Sequence, residues 1–525
     1  MVAREYAAKQ AVCVRPVLRQ VTDRETDEVH KLAVPCGSTR DSLCSPCAEK
    51  ARRLRMQQCA EGWHLEEDPL PPSAQNGDDD EADDEPGASG ENKRTSRRTR
   101  STRRCSGTED LPRLPVENRS VGQTFVTPDG STYRPSMFVT LTLGSYGKVI
   151  SGRPGVAVPG VGTPLHPERY DYRRAALEAL HFPKLFDRWM QNLRRCAGYR
   201  VQYFGAIEPQ RRLAPHMHVA MRGAIPREVI RTVTRATYLQ LWWPSFDEPV
   251  YVDEVPAWDP RAECYRDPDD ARALPTWEGA LDALDADPEA RPALMMRFGS
   301  QVDIKGIIAP SKDADRSIRY LAKYLTKAVS ETYSNPEHPD PAYEAHIDRL
   351  HAEVLYLPCS PQCANWLRYG IQPKDPGPGL VPGMCPSKAH DRENLGVGGR
   401  RVQVSRAWSG KTLKEHKADR ATVVREVLAA AGVDAPESNR LAADVLAEDG
   451  RPRFIWEEIP ISEADYVETV LATVVQAQRW RAEYEAAKQQ YDAARASPDR
   501  ERAACGQPFG NHIPRAPDSQ PNQVA

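Results

Sequence analysis

From about Glu66 to Leu114 the chain offers a core almost nothing to bury. Pro71-Pro72 leads into Asp78-Asp79-Asp80-Glu81 and Asp83-Asp84-Glu85. Lys93-Arg94, Arg97-Arg98, Arg100 and Arg103-Arg104 follow. Blocks of like charge with so few apolar residues cannot offset the entropy of ordering a chain. Residues 66–114 therefore read as a disordered acidic and basic linker, and folded structure has to be assembled on either side of it.

Length and composition leave room for that. A chain of 525 residues accommodates two or three domains. Its 40% hydrophobic and 28% charged content is that of a soluble protein. No apolar run approaches the roughly 18–20 residues that span a bilayer, and Met1–Tyr6 is not followed by the apolar stretch of a secretory signal. The expected setting is cytoplasmic, with no membrane partner. There, twelve cysteines point to metal sites or free thiols rather than disulfides.

Residues 1–65 read as a cysteine-rich zinc-binding module. Cys36, Cys44, Cys47 and Cys59 form C-x7-C-x2-C-x11-C among arginines and lysines. Four thiolates suit a tetrahedral Zn²⁺, and the close Cys44/Cys47 pair is a common half-site. Cys13 is a substitute ligand. A second zinc constellation, Cys359-x3-Cys363-x21-Cys385-x4-His390, falls in the region 336–430.

Residues 115–335 mix strand and helix signals. Phe138–Leu143 is a β-rich run ended by Gly144. Asp171–Leu180 and Pro183–Cys196 predict two helices, because Pro183 suits a helix start but not an interior. Val201–Ile207 and His216–Met221 predict strands joined by a polar turn, Val229–Leu241 a helix, and Met295–Phe298 with Val302–Ile308 one or two strands. The order is that of an α+β domain with an antiparallel sheet. Beyond it, 431–525 reads as a mainly helical region: Ser462–Ala496 is amphipathic, and a frayed tail follows Ser497.

Two local patterns carry chemistry. In Pro215–Met221 a strand sends His216 and His218 to one side and Met217 to the other. Two imidazoles on one face can hold a divalent ion with positions left open for phosphate and water. Glu208, eight residues before His216, is a candidate third ligand, with Pro209 and Arg211-Arg212 intervening. In Tyr320–Lys327, a helix at about 100° per residue puts Tyr320, Tyr324 and Lys327 within roughly 60° of one another. A phenol with a pKa near 10 is a weak nucleophile at neutral pH. An ion polarising a phosphate would make it useful, and Lys327 would sit beside that phosphate or lower the phenol's pKa. Each pattern alone has an ordinary structural reading; the pairing favours chemistry.

Three blocks, Phe138–Leu143, His216-Met217-His218 and Tyr320–Lys327, resemble in identity and order the motifs of the HUH endonucleases of two-tyrosine type. More closely the chain resembles the RepSA-like rolling-circle replication initiators of actinobacterial plasmids and integrative conjugative elements. That likeness lies in the cysteine-rich start, Arg134–Phe138, Tyr170–Arg174, Trp242-Trp243-Pro244 and Cys363–Leu367. The resemblance implies an HUH-type sheet flanked by helices, with Mg²⁺ or Mn²⁺ on His216, His218 and Glu208. It implies a metal-dependent, site-specific single-strand DNA endonuclease and strand transferase. Tyr320 or Tyr324 (the latter favoured as initiator) would form a 5′-phosphotyrosine at the origin. Alternatives are a conjugative relaxase or single-strand transposase of the same chemistry, or a non-catalytic zinc-containing DNA-binding regulator.

The net charge of −3 hides a basic stretch: Pro386–Arg425 holds ten Lys or Arg against four Asp or Glu. Arg400, Arg401, Arg406 and Lys411 are candidates for contact with DNA phosphates. Ser409-Gly410-Lys411-Thr412 lacks the glycine five positions before Gly410, where Ser405 stands, so a P-loop ATPase is excluded. Unwinding would fall to a host helicase and synthesis to a host DNA polymerase.

Overall fold

The central strands Tyr203–Pro209 and Pro215–Arg222 are buried along their whole length, and pairing the strands in register makes one antiparallel sheet with two differently occupied faces. The computed structural model describes residues 2–65, 67–69, 111–152, 158, 160–323, 325–333, 340–398, 401–430, 445–447, 449–460 and 462–496. Apart from 67–69 and 111–114, the expected linker lies outside them, as does the tail after 496.

In chain order the strands are β1 (Val17–Asp23), β2 (Val29–Val34), β3 (Phe125–Val126), β4 (Thr132–Leu143), β5 (Tyr203–Pro209) and β6 (Pro215–Arg222). They continue with β7 (Tyr238–Leu241), β8 (Ala257–Asp259), β9 (Cys264–Arg266), β10 (Leu294–Ala309), β11 (Val402–Val404) and β12 (Phe454–Glu458). The helices are α1 (Val2–Lys9), α2 (Asp41–Trp63), α3 (Tyr172–Ala197), α4 (Arg227–Ala236) and α5 (Trp277–Ala286). Then come α6 (Lys312–Ala322), α7 (Pro341–Tyr356), α8 (Leu413–Ala430) and α9 (Glu463–Ala496).

Two compact units result, Met1–Pro35 with Ala418–Ala525, and Cys36–Lys417. The segment 1–65, expected as one module, is thus divided between them. In the first unit β1 pairs with both β2 and β12, so the start of the chain shares a sheet with Phe454–Glu458. Arg453 reaches the Asp23 carboxylate at 2.6 Å and holds its pKa well below the usual range.

In the second unit the strand order is β11-β5-β6-β4-β10-β7, each neighbour antiparallel, with β3 on β4. One face presents Val139, Leu141, Met217, Val219 and Met221 to Phe182, Phe186 and Trp189 of α3, with Ile347 and Leu350 of α7 in the same core. The other face packs Phe138, Phe204, Ala206, Ala220 and Ile307 against Cys59 and Trp63 of α2 and Ala314, Ile318 and Leu321 of α6. Helices on both faces of an antiparallel sheet make this a mixed α+β fold.

Two boundaries differ from expectation. Helix α3 runs through Pro183 without ending. Asp171 caps it by accepting the Arg174 N–H, and Gly198 closes it at φ 70°. An interior proline costs about 3 kcal/mol, whereas each large apolar side chain buried returns about 1.5–3 kcal/mol. Phe182, Leu185, Phe186, Trp189 and Leu193, all with 0% exposure, outweigh it. The helix expected over Val229–Leu241 stops at Ala236. Tyr238–Leu241 turns into β7 because β10 offers Leu294–Arg297 as a pairing edge, a tertiary choice that overrides local pattern.

Candidate metal centre and nucleophile

The triad expected from spacing is assembled by strand register. Glu208 stands directly opposite His216 on β5 and β6, and His218 lies between Ala206 and Thr140. Opposed residues share a face, so Pro209 and the Arg211-Arg212 turn do not turn Glu208 away. All three side chains are buried on the face covered by α2 and α6, and their ligand atoms lie within 4.8 Å of one another. The two Nε2 atoms are 2.8 Å apart. Glu208 Oε2 is 3.6 Å from that of His218 and 3.9 Å from that of His216.

This donor set fits a divalent ion. Two adjacent ligands about 2.1 Å from an octahedral ion stand about 3 Å apart, close to the imidazole separation here. Burial, followed by repulsion from His218 and Arg212, pushes His216 down to about 3, so it is neutral with a lone pair to give. His218 Nδ1 meets Thr140 Oγ1 at 2.9 Å; with the N–H on that nitrogen, Nε2 is left as the ligand. Glu208 Oε1 is buried with no hydrogen-bond partner. A carboxylate at 2% exposure with an orphan oxygen is costly unless positive charge stands nearby. Arg401 interacts with Glu208 and supplies part of it, and a divalent ion would add what the neutral histidine His216 does not.

Tyr320 belongs to the last turn of α6, whose start Ser311 caps through the Ala314 N–H at 3.2 Å. Its hydroxyl comes within 3.4 Å of His218 Nε2, and its ring stands edge-on to His218 and Phe138. Tyr324 lies outside the described residues. The expected continuous helix face through Lys327 does not form, because α6 ends at Ala322. Lys323 N–H returns to Tyr320 C=O at 3.1 Å, three residues back, and the backbone beyond bonds outward. Asp41 N–H donates to Thr326 C=O at 2.7 Å, Arg401 donates to Lys327 C=O, and Val329 N–H donates to Glu393 C=O at 2.8 Å. Lys327 itself is exposed.

A family model described as RepSA, replication initiator protein, pSAM2, matches residues 1–493. The chain belongs to the RepSA family. A replication initiator protein of Streptomyces ambofaciens is 28% identical over 226 residues, which are 38% of this chain and 43% of the relative. The matched part is thus less than half the length of that curated relative. No solved structure matches.

In this RepSA chain the basic candidates part company. Arg400 lies outside the described residues, while Arg406 and Lys411 are exposed. Arg401, expected on a DNA-facing surface, is instead buried, donating to Ile207 C=O at 3.1 Å as well as to Lys327. Burial lowers its pKa to about 10 and Glu208 pulls it back. It is therefore a strut between β5 and the segment after Tyr320. Thr140 and Arg401 are the site residues that spacing did not reveal. Thr140 was legible once β4 was set against β6; Arg401 depends on β11 pairing with β5 across almost two hundred residues.

Cys36, Cys44 and Cys47 bring their sulfurs within 4.8 Å of one another, a cluster that could hold a structural metal. Helix α2 is interrupted at Cys44 (φ −158°, ψ 92°) and continues past Pro46. Cys59, expected as the fourth ligand, is not in this cluster. Twelve residues along a helix carry it about 18 Å from Cys47, into the apolar layer with Trp63 and Trp408. Burial there raises its thiol pKa. Cys13, the substitute, is buried in the other unit. Cys359, Cys363, Cys385 and His390 do come together, all within 4.8 Å. No described helix is long and apolar enough to cross a membrane.

Proposed function

We propose that this chain starts rolling-circle replication by cutting one DNA strand at an origin and joining its 5′ end to a tyrosine. The approach of the Tyr320 hydroxyl to His218 Nε2 carries the reading, because a phenol then stands beside the buried His216/His218/Glu208 group. A Mg²⁺ or Mn²⁺ held by His216, His218 and Glu208 would polarise the scissile phosphate and stabilise charge on its oxygens. The Tyr320 oxygen attacks phosphorus and its phenolic proton passes to solvent. The P–O3′ bond breaks, and the 3′ oxygen takes up a proton to become a hydroxyl. One phosphodiester is exchanged for another, so no nucleotide is hydrolysed.

The 3′-hydroxyl primes a host DNA polymerase while a host helicase unwinds. Tyr324, expected from the sequence to initiate, is here given the second attack, releasing a circle while Tyr320 is esterified, because Tyr320 is the phenol close to His218 among the described residues. Arg406 and Lys411 contact the DNA backbone. Structural Zn²⁺ takes Cys36, Cys44 and Cys47.

The test is incubation of the full chain with a labelled single-stranded origin oligonucleotide and Mn²⁺, read on a denaturing gel. A covalent adduct is expected, reduced to background in the Tyr320→Phe, Tyr324→Phe double variant, which keeps the rings but has neither phenolic oxygen. Undiminished adduct in that variant places the nucleophile elsewhere. Binding without any adduct in the parent protein supports a non-catalytic regulator instead.

A further inference from the structure

Residues 357–398, which follow α7, contain no strand and only two short 3₁₀ turns, Ala364–Tyr369 and Lys388–His390. Seven prolines, from Pro358 to Pro386, suppress regular hydrogen bonding. A run this long without its own secondary structure is uncommon inside a compact unit, yet Trp366 and Leu367 in it have 0% exposure. Something beyond backbone ladders holds it.

The cysteine and histidine side chains of this run converge with the spacing of co-ligands. Cys359 Sγ is 4.0 Å from Cys385 Sγ, and Cys363 Sγ is 3.6 Å from His390 Nε2. Tetrahedral Zn²⁺ with bonds of about 2.3 Å to sulfur and 2.05 Å to nitrogen sets S···S near 3.8 Å and S···N near 3.5 Å. A disulfide would need about 2.05 Å. The histidine tautomer is also set. His390 Nδ1 lies 2.7 Å from the Val354 carbonyl, which can only accept, so Nδ1 carries the proton. The lone pair of Nε2 is thereby aimed at the three sulfurs, with the backbone partner that metal-bound histidines usually have.

We propose that Cys359, Cys363, Cys385 and His390 form a closed, structural Zn²⁺ site. Four protein ligands fill the tetrahedron and leave no position for substrate. Its effect on function is indirect. Just past His390, the Glu393 carbonyl accepts the Val329 N–H at 2.8 Å and the Glu393 carboxylate pairs with Arg40. The zinc knuckle therefore steadies the segment that follows Tyr320 without touching His216 or His218.

The experiment measures zinc per full-length chain by mass spectrometry of the metal, together with alkylation of the cysteines mapped by peptide mass. In the parent protein, Cys359, Cys363 and Cys385 should resist alkylation until a strong chelator is added, although Cys359 and Cys385 are only half-buried. A Cys363→Ser, Cys385→Ser variant should lose one zinc equivalent, which a Cys44→Ser, Cys47→Ser variant retains at this site. His390→Cys, which restores a fourth ligand, should keep the metal where His390→Ala weakens it. Free alkylation of the three thiols in untreated parent protein, or zinc content unchanged by Cys363→Ser, Cys385→Ser, overturns the proposal. The alkylation result stands even if a variant does not fold.

Discussion

The candidate metal ligands and the candidate nucleophile segment are held by different physics. His216, His218 and Glu208 project from β6 and β5, interior strands with hydrogen-bonded neighbours on both sides and helices over both faces. Register alone aligns them. Tyr320 stands where α6 ends, and the chain beyond it is tied by Asp41, Arg401 and Glu393, three residues from remote parts of the sequence. The first arrangement opens only when the sheet opens; the second rests on a few hydrogen bonds that can loosen separately. Rigid ligands with an adjustable nucleophile suit a reaction in which a tyrosine engages a phosphate, stays attached to DNA, and gives way to a second attack.

Breaking the rigid half should have the largest effect. His216→Ala with His218→Ala removes both nitrogens, and Glu208 cannot hold an ion alone. Strand cleavage should fall by about a thousand-fold or more, since charge on the phosphate oxygens goes unstabilised. Affinity for origin DNA, measured by gel shift without added divalent ion, should change by less than a few-fold, because phosphate contacts lie mainly on other surfaces. Cleavage by the double variant in chelator-treated buffer would refute the metal assignment.

Loosening the adjustable half should cost less. Arg401→Met keeps the length of the side chain but leaves the Ile207 and Lys327 carbonyls without their donor and Glu208 without its charge partner. Adduct formation should slow by about 10–100-fold, with partial recovery in Arg401→Lys. Mn²⁺ affinity, followed by its paramagnetic resonance signal, should stay within a few-fold of the parent. A rate loss matched by lost Mn²⁺ binding would mean that Arg401 serves the metal group rather than the tyrosine segment.

The contrast also explains what could be read in advance. Alternation at Pro215–Met221 identified the strand and its histidine face because period-two patterns are local. Glu208 was in reach for the same reason, since a short turn between neighbouring strands puts it opposite His216. The Tyr320–Lys327 helix was half legible: its apolar spacing is helical, but its end is set by acceptors and donors at Asp41, Arg401 and Glu393, which no local window contains. Cys59 failed as a ligand because α2 is continuous there and its rise separates positions that look close in sequence. The β1–β12 pairing joins residues more than four hundred apart and has no local signature.

The smallest effect concerns the layer behind the sheet that carries His216 and His218, and it tests whether that half is as rigid as its packing implies. His346 on α7 is buried at 2% exposure, its Nδ1 2.9 Å from the Tyr172 hydroxyl of α3. Burial pushes its pKa down to about 4, partly offset by the Arg212 backbone. Its ordinary value, near 6.5, applies when the chain unfolds. Between these two values the unfolded chain binds more protons than the folded one, so stability is complete above about pH 6.5 and is lost as pH falls toward 4. The contribution of this one group is at most roughly 3 kcal/mol at the acid end. His346→Phe fills the space without titrating, so its urea midpoint should fall less steeply than that of the parent between pH 6.5 and 4.5. If acid acts through this layer, cleavage measured at pH 6 should decline together with global stability and in proportion to it. Equal pH slopes for parent and variant would show that His346 already gains its proton in the folded state, and that the α3–α7 layer opens more readily than the sheet it supports.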